Sequence, residues 1–432
     1  MPAKIGGVES VAMAVGGMVG GGIFAVLGVV AAEAGPSAWM AFVVSGLIAV
    51  CAGYSFVTLN ERLANPGSPI TIIERFTGST NLAGMAGWTF VIGYIGTMGL
   101  YAYAFGSYFA AILGVSTAAG LPLQPVISAA VIVIFIGINA LGSHASGRTE
   151  ESLVGLKVLI LLAFCGGGLY YGFTHGELES GISSLGTGPI VAAAISFVAF
   201  EGWELLLFDQ NSVRNPRETV PKAIYTSIAG VTLLYVLVAL VTTSLLSPST
   251  IQKNPETALA VAANPFFGSV GFGLISIAAL FSTASALNAT LFSTSRLMRQ
   301  LATDSLLPTQ LESRGREPIR ELIVLGALTA VLASFGSLNA ISSFASLTFI
   351  TLFGLVSFLA YTERSSAVHS ALVPAIGTLG SGGAIVALGW HLATTEFGTF
   401  VVVLLLTVLV IVIELQYFER TPIRRELETL EK

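Results

Sequence analysis

Apolar runs of about 20 residues recur along the whole chain of 432 residues. A helix of about 20 apolar residues is long enough to cross the hydrocarbon layer of a bilayer. Only 10% of the residues are charged, against about 25% in an ordinary soluble protein. The sequence therefore predicts an all-α membrane protein with twelve transmembrane helices. Their predicted centres lie near residues 21, 49, 98, 132, 161, 198, 233, 283, 328, 350, 381 and 407.

The basic side chains predict the orientation of these spans. With the N-terminus placed in the cytoplasm, 17 of the 19 basic residues fall in inner loops or tails, and only Lys253 falls outside. Lys157 is left within the fifth span. Because cytoplasmic loops carry an excess of Lys and Arg, we expect a multi-pass protein of the cell membrane with both termini in the cytoplasm. The apolar segment ending at Ala34 is longer than the core of a signal peptide, about 7–15 residues, and is interpreted as the first span.

The residue types present exclude several other classes of protein. The two cysteines, Cys51 and Cys165, fall inside predicted spans and form neither a disulfide framework nor a metal-binding spacing. We therefore expect no metal, no cofactor and no nucleic acid partner. An intramembrane enzyme needs a nucleophile–base or metal constellation at membrane depth, and a sensor usually needs a soluble output domain. The sequence offers neither, so we expect the chain not to be an enzyme.

The first span contains five glycines between Gly16 and Gly22. Each glycine costs about 1 kcal/mol relative to alanine in a helix, so the span is predicted to break at mid-membrane. Free N–H groups near Gly20 would then suit an anion, and free carbonyls near Gly17 and Met18 would suit a cation. Such a break accommodates an amino acid zwitterion. The alternative is that the glycines only permit close helix packing.

The sixth span carries Glu201, Gly202 and Glu204 at its centre. Charged residues at this depth are costly unless they are paired or face water, and corresponding breaks in two halves of a chain indicate a secondary-transporter site. The positions of the two breaks predict a single transporter domain over residues 1–432. Its predicted parts are a first repeat at about 9–172, an inverted second repeat at about 187–363, two extra helices at about 369–418 and a cytoplasmic tail at 419–432.

Four motifs make the chain resemble the amino acid permeases of the amino acid–polyamine–organocation (APC) superfamily. They are Gly20-Gly21-Gly22-Ile23-Phe24, Phe200-Glu201-Gly202-Trp203-Glu204, the segment Asn215 to Ile224, and the segment Ser295 to Pro308. The resemblance implies the five-plus-five inverted repeat of the LeuT-type fold, with discontinuous first and sixth helices. It also implies that an amino acid substrate is held between these two helices.

The resemblance assigns roles to residues by their position in the motifs. The N–H groups of Gly21 and Gly22 would hold the substrate carboxylate, and the amino group would lie near the carbonyls of Met18, Val198 and Glu201. The predicted substrate site also includes Gly20, Phe200 and Trp203. Gly202 and Glu204 are predicted to form the helix break and to take part in gating. Phe197, Phe200 and Trp203 are candidate aromatic gates, and Tyr94, Met98 and Tyr101 are further pocket candidates.

Lys157 has two interpretations from its spacing. Burial disfavours the charged form of lysine, so Lys157 could take up and release a proton during transport. Alternatively, it could extend to the cytoplasmic interface, because it lies six residues past Glu151, or about 9 Å along a helix. The resemblance favours the first, since proton-coupled prokaryotic permeases place a fifth-span lysine where sodium-driven relatives bind sodium. Its implied neighbours are carbonyls near Gly17 and Met18 and the hydroxyl of Ser285.

Glu201 is unusual for its motif and leaves the substrate class open. Its carboxylate could pair with Lys157, or form a negative wall that favours cationic substrates. The predicted function is import of amino acids by proton symport with alternating access, with protons and the lipid bilayer as the other partners. An amino acid or amine exchanger, or a polyamine transporter in which Glu201 binds an amine, is the alternative.

Overall fold

The computed structural model describes residues 5–63, 67–118, 120–141, 147–182, 186–303, 318–363, 370–409 and 411–412. The predicted cytoplasmic tail, 419–432, lies outside the described residues. So does the stretch from Asp304 to Pro308, which belongs to the motif that follows the eighth span.

The described residues are almost entirely helical. The α-helices are α1 (Gly7–Ala34), α2 (Ala38–Glu61), α3 (Pro69–Thr77), α4 (Thr80–Leu113), α5 (Leu123–Ala140), α6 (Gly147–His175), α7 (Gly188–Ser196), α8 (Leu205–Phe208), α9 (Pro216–Leu245), α10 (Pro248–Lys253), α11 (Ala258–Ala262), α12 (Asn264–Thr303), α13 (Ile319–Phe335), α14 (Leu338–Thr362), α15 (Leu372–Thr395) and α16 (Phe397–Leu409). The short 3₁₀ segments are Gly35–Ser37, Phe197–Phe200, Gln210–Ser212 and Pro255–Thr257, and one antiparallel hairpin joins β1 (Thr117–Ala118) to β2 (Leu121–Pro122).

Each of the twelve predicted apolar centres lies in one of these helical segments. Within the described ranges, nine helical stretches are long and apolar enough to cross a membrane, and the first of them, Gly7–Glu61, contains both α1 and α2. Helix α13 has 17 residues, and α16 is shorter still. The chain is therefore a multi-pass membrane protein, while the count of twelve spans and the inverted repeat stay predictions.

Lipid-facing and buried helices differ clearly in their exposure. Helices α5 and α15 leave large apolar side chains uncovered, such as Val133 and Leu379, which suits contact with hydrocarbon. Helix α1 is buried along most of its length and contacts α9, α7, α12, α6 and α4. The glycine-rich first span therefore lies at the centre of the bundle.

The predicted break in the first span is wrong for this structure, because α1 is one helix from Gly7 to Ala34. None of its glycines has a positive φ. Backbone N–H and C=O groups in a dry interior must find partners, and the intrahelical ladder supplies them. The neighbours of α1 fill the space that side chains would occupy, so close packing compensates for the poor helix propensity of glycine.

The predicted break in the sixth span is present. Helix α7 ends at Ser196, a 3₁₀ turn runs from Phe197 to Phe200, and α8 begins only at Leu205. Glu201 is extended and Gly202 has a φ of 113°, a value that favours glycine. The chain therefore changes direction at membrane depth, beside the middle of α1.

Candidate functional site

The first and sixth spans touch through two glycines. A Cβ atom on Gly17 would lie 2.9 Å from the Cα of Gly202, and one on Gly202 would lie 2.6 Å from the carbonyl carbon of Gly17. Real Cβ atoms do not approach backbone so closely, so only glycine fits at either position. The break at Gly202 is therefore seated directly on the glycine cluster of α1, and the two spans are closed against each other here.

Three other glycines of the cluster, Gly20, Gly21 and Gly22, face three more elements. A Cβ on Gly20 would lie 2.5 Å from the Cβ of Ala286 on α12, and one on Gly22 would lie 2.8 Å from the Cα of Ala199. A Cβ on Gly21 would collide with the ring of Tyr101 on α4. The packing alternative is thus observed for this closed arrangement. The predicted binding roles of Gly20, Gly21 and Gly22 stay predictions.

Carbonyl groups of α1 receive hydrogen bonds from side chains of four other helices, and the Tyr108 hydroxyl of α4 donates to the Phe24 carbonyl at 3.2 Å. The Tyr235 hydroxyl donates to the Met18 carbonyl at 2.7 Å and also lies 3.2 Å from that of Ala199. The Ser282 hydroxyl donates to the Val19 carbonyl at 2.9 Å. None of these hydroxyls belongs to a local motif, so sequence reasoning missed all three. The middle of α1 is therefore a polar backbone surface even though its helix is continuous.

Lys157 is the fourth donor to this surface. Its Nζ atom donates to the Gly16 carbonyl at 3.3 Å, and the residue is only 5% exposed. The side chain therefore points into the bundle rather than extending to the interface. Lys157 also lines a cavity of about 180 Å³ together with Ser285, the hydroxyl predicted as its neighbour. Gly17, the remaining predicted member of the coupling site, contacts Gly202 instead.

Glu201 does not pair with Lys157, as one interpretation of the sequence suggested. The Thr97 hydroxyl of α4 donates to Glu201 Oε2 at 2.6 Å, whereas Lys157 reaches Gly16. Glu201 is 2% exposed, and among the described residues no basic side chain contacts its carboxyl group. Glu201 therefore presents a buried acidic group beside the break, and Thr97 is a second residue that the sequence did not reveal.

Glu204 accepts hydrogen bonds that stabilise the break in the sixth span. Its Oε2 atom accepts a hydrogen bond from the Gly202 N–H at 2.7 Å, and its Oε1 atom accepts one from the Tyr94 hydroxyl at 3.1 Å. A carboxylate satisfies free N–H groups at the start of a helix and interacts favourably with the helix dipole. The side chain thus stabilises the sharp turn at Gly202 and ties it to α4.

The N-terminal part of the break is held by hydrogen bonds to α14. The Ser346 hydroxyl donates to the Ile195 carbonyl at 2.7 Å and accepts from the Val198 N–H at 2.9 Å. The Val198 carbonyl, a predicted acceptor for the substrate amino group, accepts from the Glu201 N–H at 3.3 Å. In this closed state the predicted acceptors at Met18 and Val198 therefore already have partners within the protein.

The aromatic residues of the sixth span pack on different sides. The Phe200 ring meets that of Tyr235 edge-on, with centroids 5.4 Å apart. The Trp203 ring lies 5.6 Å from that of Phe56 on α2 and 5.2 Å from that of Phe353 on α14. Phe200 thus lies on the side of the bundle that holds α1, and Trp203 anchors the break to α2 and α14. Their predicted roles in substrate binding and gating stay predictions.

A vestibule of about 480 Å³ opens on the side of the break where α8 lies. Its lining comes from α1, the segment before α3, α4, the region of α8 and the end of α12. The Tyr94 residue that donates to Glu204 is one of its lining residues. The vestibule is large enough for a small solute. The hydrogen bond from Tyr94 to Glu204 connects its wall to the break.

The described helices, with a broken sixth helix packed on a buried glycine-rich first helix, have the fold of a solved LeuT-type protein. The crystal structure of MhsT in complex with L-phenylalanine has the same fold, with a TM-score of 0.58 and 17% identity, covering 88% of this chain and 97% of that one. The profile of the amino acid permease family matches residues 5–420. The chain belongs to that family, whose members are transporters rather than enzymes.

Individual relatives agree with this assignment. The inner membrane transport protein YbaT of Escherichia coli is 31% identical over 303 residues, which is 69% of each chain. The serine/threonine exchanger SteT of Bacillus subtilis is 27% identical, covering 71% of this chain and 69% of its own. The protein is thus a membrane-embedded transporter of amino acids, and the finer questions are its driving force and its substrate.

Proposed function

We propose that the protein imports amino acids across the cell membrane by proton symport, with both termini in the cytoplasm. The contact between Lys157 Nζ and the Gly16 carbonyl carries this proposal. It connects the one basic side chain within the predicted spans to the backbone of the helix that meets the break. Gain or loss of a proton at Lys157 therefore changes a hydrogen bond at the junction of the first and sixth spans.

Substrate binding requires α1 to open locally at its glycines. Five glycines between Gly16 and Gly22 lower the cost of opening, at about 1 kcal/mol each. The hydroxyls of Tyr235 and Ser282 already contact α1 carbonyls and compensate for ladder bonds that are lost. The opened N–H groups of Gly21 and Gly22 then bind the carboxylate. The amino group binds the carbonyls of Met18, Val198 and Glu201.

Protonation of Lys157 controls how firmly α1 is held. The ammonium form donates a charged hydrogen bond to the Gly16 carbonyl, an interaction worth about 1.5–3 kcal/mol. Loss of the proton weakens this bond and frees α1 to move relative to α6. Proton binding from outside and release inside then drive the exchange between outward-open and inward-open states. This cycle is alternating access with one proton carrier.

The test is uptake of radiolabelled amino acids into proteoliposomes, with and without an inward proton gradient. We expect accumulation above equilibrium only with the gradient, and its loss when a protonophore is added. Gradient-independent accumulation would contradict proton symport, while a sodium gradient that drives uptake would favour sodium coupling instead.

Exchange is the second candidate mechanism, and the similarity to the serine/threonine exchanger SteT favours it. An exchanger needs substrate on the far side of the membrane, whereas a symporter accumulates substrate under the gradient alone. Uptake that occurs only into vesicles preloaded with an amino acid would therefore support exchange. Uptake of putrescine without any amino acid would support a polyamine carrier with Glu201 as the amine-binding group.

Glu201 provides a test of substrate charge. Its buried carboxylate has Thr97 as its hydrogen-bond donor and favours a cationic group nearby. For Glu201→Gln we expect the preference for lysine over alanine in competition assays to fall about 10- to 100-fold, the value of one charged hydrogen bond. Glutamine still accepts from Thr97, so the local packing is preserved. The exposed Glu218→Gln serves as the matched control, and an unchanged preference in Glu201→Gln would contradict this role.

A further inference from the structure

Two residues of opposite charge line the vestibule beside α8. The Arg296 guanidinium lies 4.0 Å above the ring centroid of Phe292, and both residues line the cavity. Asp209, which follows α8 directly, lines it as well. Over the described part of the chain, neither Asp209 nor Arg296 forms an ion pair with the other or with a third residue. Both residues are exposed and line the cavity, so their charged groups are accessible to a solute within it.

We propose that this vestibule is a second binding site for the amino acid, occupied after it leaves the central site. Arg296 binds the carboxylate, and Asp209 binds the ammonium group. A guanidinium pairs with a carboxylate through two parallel hydrogen bonds, and the Phe292 ring restricts its motion before the ligand arrives. The inference rests on the proposed function, since it takes the same zwitterion as its ligand.

The cavity wall beside Asp209 is fixed by buried hydrogen bonds. Gln210 is 2% exposed and accepts at Oε1 from Asn60 Nδ2 at 2.8 Å. The Gln210 side-chain nitrogen donates to the Gly67 carbonyl at 2.5 Å, and the Gly67 N–H donates to Asn60 Oδ1 at 2.9 Å. This ring of amides joins the end of α2 to the segment after α8. It holds the backbone beside Asp209 in one position.

The vestibule also has a direct connection to the central site. Tyr94 lines the cavity and donates to Glu204, whose carboxylate caps the break at Gly202. A zwitterion bound to Arg296 and Asp209 is therefore separated from the break by the Tyr94–Glu204 pair. On the proposed orientation this face is cytoplasmic, so the second site affects the affinity measured from the cytoplasm.

Uptake measured separately from each membrane face tests the proposal. Inside-out vesicles report the half-saturation concentration at the cytoplasmic face, and right-side-out vesicles report that at the outer face. We expect Asp209→Asn and Arg296→Gln each to raise the cytoplasmic value about tenfold, as loss of one charged contact does. The outer value should not change. The exposed controls Glu218→Gln and Arg75→Gln should alter neither value.

Ligands that lack one charge separate binding from distortion. The amine without a carboxylate should inhibit Arg296→Gln and wild type equally from the cytoplasmic face. The N-acetyl amino acid, which lacks the ammonium group, should inhibit Asp209→Asn and wild type equally. Equal weakening of all ligands in both variants, or unchanged cytoplasmic half-saturation, would overturn the second site. Wild-type vesicles that take up no amino acid from either face would contradict the proposed function itself.

Discussion

Lys157→Met is expected to abolish gradient-driven accumulation while leaving counterflow of substrate measurable. Methionine is unbranched and apolar, so it fills the same space beside α1 without a titratable group. It removes the group that carries the proton in the proposed cycle, together with its hydrogen bond to the Gly16 carbonyl. Proteoliposomes with an imposed pH difference measure both activities on one preparation.

Lys157→Arg distinguishes a proton carrier from a structural anchor. Arginine keeps its proton under all physiological conditions, so it preserves the positive charge beside Gly16 but cannot release a proton. We expect this variant also to lose its response to the gradient. Normal gradient-driven uptake by Lys157→Arg would show that titration at this position is not the coupling step. The exposed Lys222→Met controls for the loss of a cytoplasmic charge.

The sixth-span break could be predicted because its cause is local. Glu201, Gly202 and Glu204 interrupt an apolar run, and a helix cannot bury two carboxylates without special arrangements. The structure adds the partners that make the arrangement stable, Thr97 and Tyr94, both neutral residues on α4. The sequence indicated Tyr94 only as a pocket candidate and did not indicate Thr97, because a neutral hydroxyl on a distant helix gives no sign of which carboxyl group it contacts.

The conformation of the first span, in contrast, could not be predicted from its sequence. Its glycine content indicated a break, yet α1 is continuous, because the outcome depends on which neighbours fill the space beside each glycine. Tyr101, Ala286 and Ala199 fill it here, and they come from three separate parts of the chain. Spacing along one helix cannot predict contacts of this kind. The same glycines that let the helix pack closely also lower the cost of opening it.

The vestibule charges were equally beyond sequence reasoning. Arg296 belongs to the motif from Ser295 to Pro308, whereas nothing in the sequence singles out Asp209, which lies more than 80 residues away. Only the fold brings them to one cavity, by placing the end of α12 beside α8. A charged residue near the membrane surface is usually only solvated. Asp209 and Arg296 differ from such residues because they have opposite charges and line the same cavity.

Gly202→Ala is expected to destabilise the protein and abolish substrate binding, because two independent conditions require glycine there. The φ of 113° is outside the range of L-residues, and such strain costs about 1–3 kcal/mol. The added Cβ would also lie 2.6 Å from the Gly17 carbonyl carbon. Backbone of the central helix cannot shift as a flexible side chain does, so the first and sixth spans must separate.

Thermal stability of the detergent-solubilised protein and equilibrium binding of an amino acid measure this effect, and Gly166→Ala is the matched control. Gly166 lies in α6 with no atom within 4 Å of an added Cβ, so alanine should stabilise that helix by up to about 1 kcal/mol. Gly202→Asn should not rescue the site, because asparagine tolerates a φ near +57° rather than 113°. A Gly202→Ala protein that melts and binds like wild type would show that the contact between Gly17 and Gly202 is not what joins the two spans.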